Sequence, residues 1–229
     1  LGDLSIGTER KMKKELSIKQ NRTMAFIIEA ASEVMENEGE DKCTMRQIAE
    51  KAGYNVATLY NYFDDQDHLM MYASVKYISV YAEDLDRALR GEKDPLRRYM
   101  TLYDVFLEHA FARPAVFYNL FYGPHRQELR KIMCEYSELF PGFLDGYDEH
   151  VRAVMLEGDI YRRDEVMIGA AAAAGEIDES SQRPIMVILS RSLQSLLQDY
   201  IAGSFGYSAE DQKAKFREIF EYLLKTGGK

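Results

Sequence analysis

The sequence predicts an all-α protein: an N-terminal three-helix helix-turn-helix domain followed by a larger helical bundle. Three observations carry that reading. Apolar residues recur at helical spacing through most of the 229 residues, and no stretch makes a convincing strand. The five prolines leave long segments without a breaker, and several stand where a first helical turn tolerates them. Between Thr44 and Phe63, two short capped segments meet at a glycine, which is the pattern of a helix-turn-helix.

Taken in order, residues 1–16 mix Gly, Ser and basic side chains with few large apolar ones and read as a mobile arm. A first helix starts near Ser17 and ends before Gly39. Met24, Ile27, Ile28, Ala31, Val34 and Met35 form its apolar stripe, while Glu33, Glu36 and Glu38 face solvent. Thr44 and Gln47 make a capping box, in which the hydroxyl accepts a first-turn N–H and the amide reaches back. Met45, Ile48, Ala49 and Ala52 bury one face of the helix that follows, and Gly53 supplies its left-handed cap. Asn55 caps a second short helix, Val56 to Tyr62, whose inward face is Val56, Leu59 and Phe63. Asp64, Asp65 and Asp67 complement the dipole of a long fourth helix, which runs from Asp67 to about Gly91 over roughly 37 Å.

Pro95 opens a helix to Ala112, and Pro114 a short aromatic one to Tyr122. Helices are expected over His125 to Phe140 and Leu144 to Glu157, then from Asp164 into the run of alanines that ends at Ala174. Pro184 opens an apolar helix through Ile201, and Ser208 begins the last one.

A hydrophobic content of 46% suffices for a sizeable core. Two cysteines, Cys43 and Cys134, are too few for a disulfide framework, and no signal peptide or 18-residue apolar run is present. A soluble, cytoplasmic protein is expected. The net charge of −9 argues by itself against nucleic acid, but the charge is unevenly spread. Residues 1–22 carry six basic and three acidic groups, whereas residues 23–70 carry three basic and ten acidic ones. Enzymatic chemistry is not expected. His68, His109, His125 and His150 lack metal-ligand spacing, and neither cysteine has a histidine partner in sequence. The run Asp64-Asp65-Gln66-Asp67 places its third acid one residue early for the acidic motif of prenyl-diphosphate enzymes. No catalytic residue, metal or cofactor is assigned.

The pattern Ile48-Ala49, Ala52-Gly53, Thr58-Leu59-Tyr60-x-Tyr62-Phe63, together with Arg22, Ile27, Ala30, Ala31, Met35, Gly39, Thr44 and Leu69, resembles the N-terminal domain of the TetR family of bacterial transcriptional regulators. The likeness covers about residues 20–70. It implies a DNA-binding domain over residues 1–66 and a helical ligand-binding and dimerisation domain over residues 67–229. It also implies that Thr44, Tyr60 and Tyr62 hydrogen-bond phosphates, and that Arg46, Asn55, Val56, Ala57 and Thr58 face base edges. The chemistry suits those roles: Arg46 offers a planar fork for guanine, and Val56, Ala57 and the Thr58 methyl offer apolar contact to thymine. Gln66 stands where the family usually has a phosphate-binding lysine, flanked by three aspartates. That exchange removes about 0.9 from the log–log salt slope of DNA binding. The resemblance further implies a homodimer through about residues 184–203 and 208–225, a double-stranded DNA operator and a small-molecule effector. Aromatic and polar residues of the bundle, namely Tyr99, Tyr103, Phe106, His109, Phe117, Phe121, Tyr136 and Arg152, are candidates for the effector site. The alternative is a TetR-like helical protein with weak or lost DNA binding that acts through ligand or protein contacts.

Overall fold

The computed structural model describes residues 17–143, 145–147, 149–157 and 160–227. Among them, every regular element is helical. Helix α1 (Ile18–Glu38) starts at Ser17, whose hydroxyl accepts the Gln20 N–H while the Gln20 side chain accepts the Ser17 N–H. Its buried stripe includes the six predicted residues, and it packs on α2 (Met45–Ala52) and α4 (Gln66–Leu89). Between α2 and α4 lies the short α3 (Val56–Leu59). The 24 residues of α4 span about 36 Å.

Helix α4 belongs to both halves of the molecule. One end packs on α1, where Ser32 Oγ donates to the Ala73 carbonyl across 3.1 Å and Lys76 pairs with Glu36 at 2.7 Å. The rest packs on α5 (Pro95–Ala112), α6 (Pro114–Tyr122), α7 (Leu129–Leu139) and α8 (Glu149–Leu156). Helix α9 (Ile160–Ala173) lies against α5 and α10 (Glu179–Ile201), and α10 packs on α11 (Ala209–Gly227). The core is continuous from Ile27 in the head to Leu223 in the body.

Several boundaries differ from the sequence reading, each for a physical reason. Regular helix in α3 ends at Leu59 rather than Tyr62, because Asn61 and Tyr62 donate to carbonyls three residues back and tighten the turn. The stretch after His125 begins as a 3-10 turn, Arg126–Glu128, and becomes α-helical only at Leu129. Helix α8 is shorter than expected, and Leu144 lies outside the described residues, as does the basic arm with Arg10, Lys11, Lys13 and Lys14. Helix α9 begins before Asp164, at Ile160. Pro184 does not open its helix: α10 starts at Glu179, and Pro184 sits inside it. The proline there forfeits one backbone hydrogen bond, to the Ser180 carbonyl, near the helix start.

Candidate nucleic-acid interface and effector pocket

The turn from α2 to α3 is fixed by three local devices. Thr44 accepts the Gln47 N–H at 3.3 Å, and the Thr44 N–H donates to Gln47 Oε1 at 3.0 Å. Gly53 takes the left-handed conformation at φ 70°, which lets its N–H reach the carbonyls of Ala49 and Glu50. Asn55 Oδ1 then accepts the Thr58 N–H at 2.8 Å and the Thr58 hydroxyl at 3.0 Å. Inward, Ile48, Leu59 and Phe63 are fully buried, so the two helices hold one relative orientation. Truncating a buried leucine such as Leu59 to alanine costs about 2–5 kcal/mol.

Outward, the predicted DNA-contacting residues share one surface but differ in what their side chains are already doing. Thr44, Asn55 and Thr58 spend oxygen atoms on the caps just described. Arg46 and Ala57 are exposed, Val56 and Tyr62 are half-buried, and Tyr60 is 53% exposed. Neither Arg46 nor Tyr60 has a polar side-chain partner among the described residues. Gln66 is committed to the fold: its amide Nε2 donates to the Cys43 carbonyl at 2.8 Å and ties the start of α4 to the loop before α2. Asp64, Asp65 and Asp67 around it are all exposed. Cys43 itself is buried, which pushes its thiol up to about 11.

Where the head meets the body, the turn between α6 and α7 clasps the start of α4. Asp65 caps α4 by accepting the His68 N–H, and His125 lies 2.9 Å from the same carboxylate through Nε2 and 3.3 Å from Glu128 through Nδ1. The His125 and His68 rings stack at 5.0 Å. Asn119 donates to the Asp67 carbonyl, the Tyr72 hydroxyl bonds to Glu135, and Arg113 pairs with Glu40 at 3.2 Å. Burial alone lowers the affinity of His125 for a proton, but the carboxylates of Asp65 and Glu128 more than offset it, so its pKa lies above the usual 6.5. Ligand atoms of Asp64, His125 and Glu128 come within 4.8 Å of one another. These groups already have protein partners, Lys131 on Glu128 at 2.9 Å among them, and the cluster is complete as an ion-pair network.

The candidate effector residues divide into three groups. Tyr99 and Tyr103 pack with Phe216 and Phe220 in one set of mostly edge-to-face rings, and Phe106, Phe117 and Phe121 pack with Tyr81 in a second, with ring centroids 5 to 6 Å apart in both. His109 borders the second set, but its Nε2 is 3.0 Å from Asp84. Tyr136 stacks elsewhere, on Phe140 and Phe143, and Arg152 is exposed on α8, away from the rings. Arg152 and Tyr136 therefore stand apart from those rings; the helical phase of α8 turns Arg152 outward, and α7 packs on α1 and α4.

Beside the rings is a small void of about 20 Å³, bounded by Tyr81, Leu102, Tyr103, Phe106, Ile160, Arg163, Asp164 and Leu193. It has room for about one water molecule. Sequence reasoning missed Arg163 and Asp164, which are 5% and 2% exposed. Burial drives Asp164 up to about 7 against the opposing influence of Tyr103, Tyr99 and Arg163. The Arg163 guanidinium spreads over the rings of Phe121 at 4.7 Å and Tyr81 at 5.6 Å. Asp164 accepts from the hydroxyls of Tyr99 and Tyr103, whereas the Tyr81 hydroxyl has no hydrogen-bond partner among the described residues. Such an unpaired group costs about 1–3 kcal/mol. The signal was present in the sequence: Asp164 is in phase with Met167, Ile168 and Ala171, the buried face of α9. Outside the void, and sharing Ile160 with it, lies an open cleft of about 490 Å³ lined by Arg126, Arg130, Arg162 and Arg191 among others.

A capped two-helix turn carried on a long helix, with an all-helical body behind it that shares its core, defines a helix-turn-helix protein. Residues 27–72, which span the helix-turn-helix, match the model of the bacterial regulatory proteins of the tetR family. Over 149 residues the chain is 28% identical to an uncharacterized HTH-type transcriptional regulator in the dhlA 5' region of Xanthobacter autotrophicus, covering 62% of this chain and 68% of that one. In fold it is similar to Thermus thermophilus FadR, a TetR-family repressor solved in complex with lauroyl-CoA, with a TM-score of 0.57 at 17% identity over 88% of this chain and 93% of that chain. It is equally similar to RolR in complex with resorcinol, with a TM-score of 0.57 at 17% identity over 92% and 89% of the two chains. Among the described residues, no helix is long and apolar enough to cross a membrane.

Proposed function

We propose that the protein is a homodimeric repressor that binds a palindromic operator through α2 and α3 and is released by a small molecule bound in its body. Residues 1–66 form the DNA-binding unit and residues 67–229 the effector and dimerisation unit. The observation that supports this reading best is the division of the helix-turn-helix surface. Its inner face is wholly committed to packing, whereas Arg46, Ala57 and Tyr60 stand outward with no structural task. Arg46 and the start of α3, from Asn55 to Thr58, face base edges, and Thr44, Tyr60 and Tyr62 face phosphates. Gln66 contributes position rather than charge.

Release follows from the connection between the body and the head. Phe117 and Phe121 of α6 stand in the second ring set, while Asn119 and the turn at His125 hold Asp67 and Asp65 at the start of α4. A ligand that displaces α6 moves these anchors and with them the separation of the two heads, which shifts the population away from the DNA-competent state. That two proteins of similar fold have been solved with lauroyl-CoA and with resorcinol supports a ligand in the body.

In a test with a duplex selected by the protein from a random pool, Arg46→Ala weakens binding by about 1–3 kcal/mol. Tyr60→Phe weakens it by about 1 kcal/mol. Both variants remain dimers by sedimentation. Unchanged affinity in both would overturn the site.

A second reading, a TetR-like protein with weak or lost DNA binding, is favoured by one observation. Gln66 is spent on Cys43 and is surrounded by exposed aspartates, in a stretch that carries three basic against ten acidic groups. The absence of salt-sensitive binding to mixed duplex in fluorescence anisotropy, or of retention on heparin, would select it.

A further inference from the structure

Four arginines meet at the open cleft of the body from three separate segments. Arg126 and Arg130 come from the turn into α7, Arg162 from α9 and Arg191 from α10, and Glu157 is the one carboxylate among the described residues that line the cleft. A solvated charged face runs along a single helix; these cations instead share a concavity, where like charges repel. The whole chain carries −9, so this local excess runs against its composition. Two of the four have no acidic partner among the described residues. Arg126 donates to the Gly123 carbonyl at 3.4 Å and Arg191 to Gln194 Oε1 at 3.0 Å, both neutral acceptors, whereas Arg130 stands 3.8 Å from Glu157.

We infer that this cleft binds a small organic phosphate, whose phosphoryl group is held by Arg126 and Arg191. The inference deepens the proposed function: it names the class of ligand, and it rests on the reading of the body as the effector unit for the link to DNA.

Three features decide the class. At about 490 Å³ the cleft has the size of a small-molecule site, more than a bare phosphate needs and too little to admit a duplex. A phosphate monoester brings a charge of about −1.5 to −2 and three acceptor oxygens, enough for two guanidinium forks, whereas one fork already occupies both oxygens of a carboxylate. Beside the arginines, Phe121, Tyr122 and Ile160 offer an apolar wall for the organic part. Tyr122 is fixed there by its hydroxyl, which donates to the Ser190 carbonyl at 3.3 Å. The cleft also reaches the head by a short route. Arg126 adjoins His125, whose contact with Asp65 holds the start of α4. A phosphate that draws Arg126 toward α10 pulls on that turn.

The experiment is calorimetric titration of the full chain with ADP and glucose 6-phosphate, against adenosine, glucose and citrate. At least one of the two phosphates is expected to bind, and its parent sugar or nucleoside is not. The Kd rises about fivefold in Arg126→Gln or Arg191→Gln and about twentyfold in the double variant. Arg97→Gln, an exposed position outside the cleft, leaves it unchanged. Both cleft arginines are exposed, so the variants keep the parent melting temperature. No binding of either phosphate, equal affinity in the double variant, or an equal loss in Arg97→Gln overturns the inference; citrate binding more tightly than both phosphates overturns the class. The link to DNA is read separately, by anisotropy of a selected duplex. A phosphate that binds through Arg126 and Arg191 without changing DNA affinity upholds the site and refutes the effector reading. A phosphate that releases DNA equally well from the double variant upholds the effector reading and refutes the site.

Discussion

At the scale of single residues, the DNA-facing surface is decided by how many polar atoms are left after the caps are made. Gln66 is the clearest case. Its amide ties α4 to the Cys43 carbonyl, so the position that could hold a phosphate holds the hinge instead. Gln66→Lys restores a cation beside the backbone of bound DNA. It is expected to tighten non-specific binding and to steepen the log–log salt dependence by about 0.9. The same change removes the bond to Cys43 and costs about 1 kcal/mol of stability. A salt titration by anisotropy and a denaturant melt on one preparation read both effects. A steeper slope with no loss of stability would mean that the Cys43 contact is dispensable. Gly53 shows the same economy within the backbone. Gly53→Ala forces a Cβ into the left-handed region and is expected to cost about 1 kcal/mol, read as a lower midpoint in urea.

At the scale of elements, the clasp between α4 and the α6–α7 turn has a pH window set by its own charges. His125 sits above its ordinary 6.5, so its share of the clasp is complete below that value and is lost as pH rises through the elevated pKa. Asp65 and Glu128 are shifted the other way. Burial alone raises Asp65, but the bonds from His125 and the His68 N–H lower it on balance; Glu128 is lowered first by Lys131, against burial, and also by His125. Their shares are complete above the ordinary carboxylate range and are lost as pH falls through the depressed values. The groups facing the clasp are Asp64, Asp65 and His68 on one side and Glu128 and Lys131 on the other. The clasp is partly exposed, so its worth is about 1 kcal/mol or less. The difference in melting temperature between the parent and His125→Gln should shrink as pH rises from about 6 to 9; a difference that stays constant would show that the charge of His125 plays no part. Helix starts were legible in the sequence wherever the cap is local: Ser17, Thr44 and Asn55 each bond within three residues. What escaped depended on tertiary placement. Pro184 reads locally as a helix opener, yet α10 starts five residues earlier. Arg163 and Asp164 escaped because they stand in a run of four charged residues, although helical phase sets Asp164 with Met167, Ile168 and Ala171. Arg152 reads as a pocket residue until the phase of α8 is known.

At the scale of the whole molecule, the body leaves an apolar face uncovered where the last two helices meet solvent. On α10, Val187, Ile188 and Ile201 are 42–45% exposed, and on α11 Tyr222 is 66% exposed. Their opposite faces, Ile185, Leu189, Leu193 and Leu197 with Phe216 and Phe220, form core. The proposed homodimer pairs α10 and α11 with a second copy, which would cover the outer face, and isologous contact of this kind is the commonest route to a dimer. Such a dimer matters to DNA binding because a four-residue α3 reads only a few base pairs. Two copies held at one spacing convert the second encounter into an intramolecular one, with gains of about 10²–10⁴ in avidity. Ile188→Glu places a charge at the centre of that face, twice in the dimer by symmetry. It is expected to give a monomer by analytical ultracentrifugation, with the helical content retained because Ile188 is not core. Binding to a two-half-site duplex should fall by about two orders of magnitude or more, while binding to a single half-site is unchanged. A dimeric Ile188→Glu protein with full operator affinity would show that the two heads are joined through another surface.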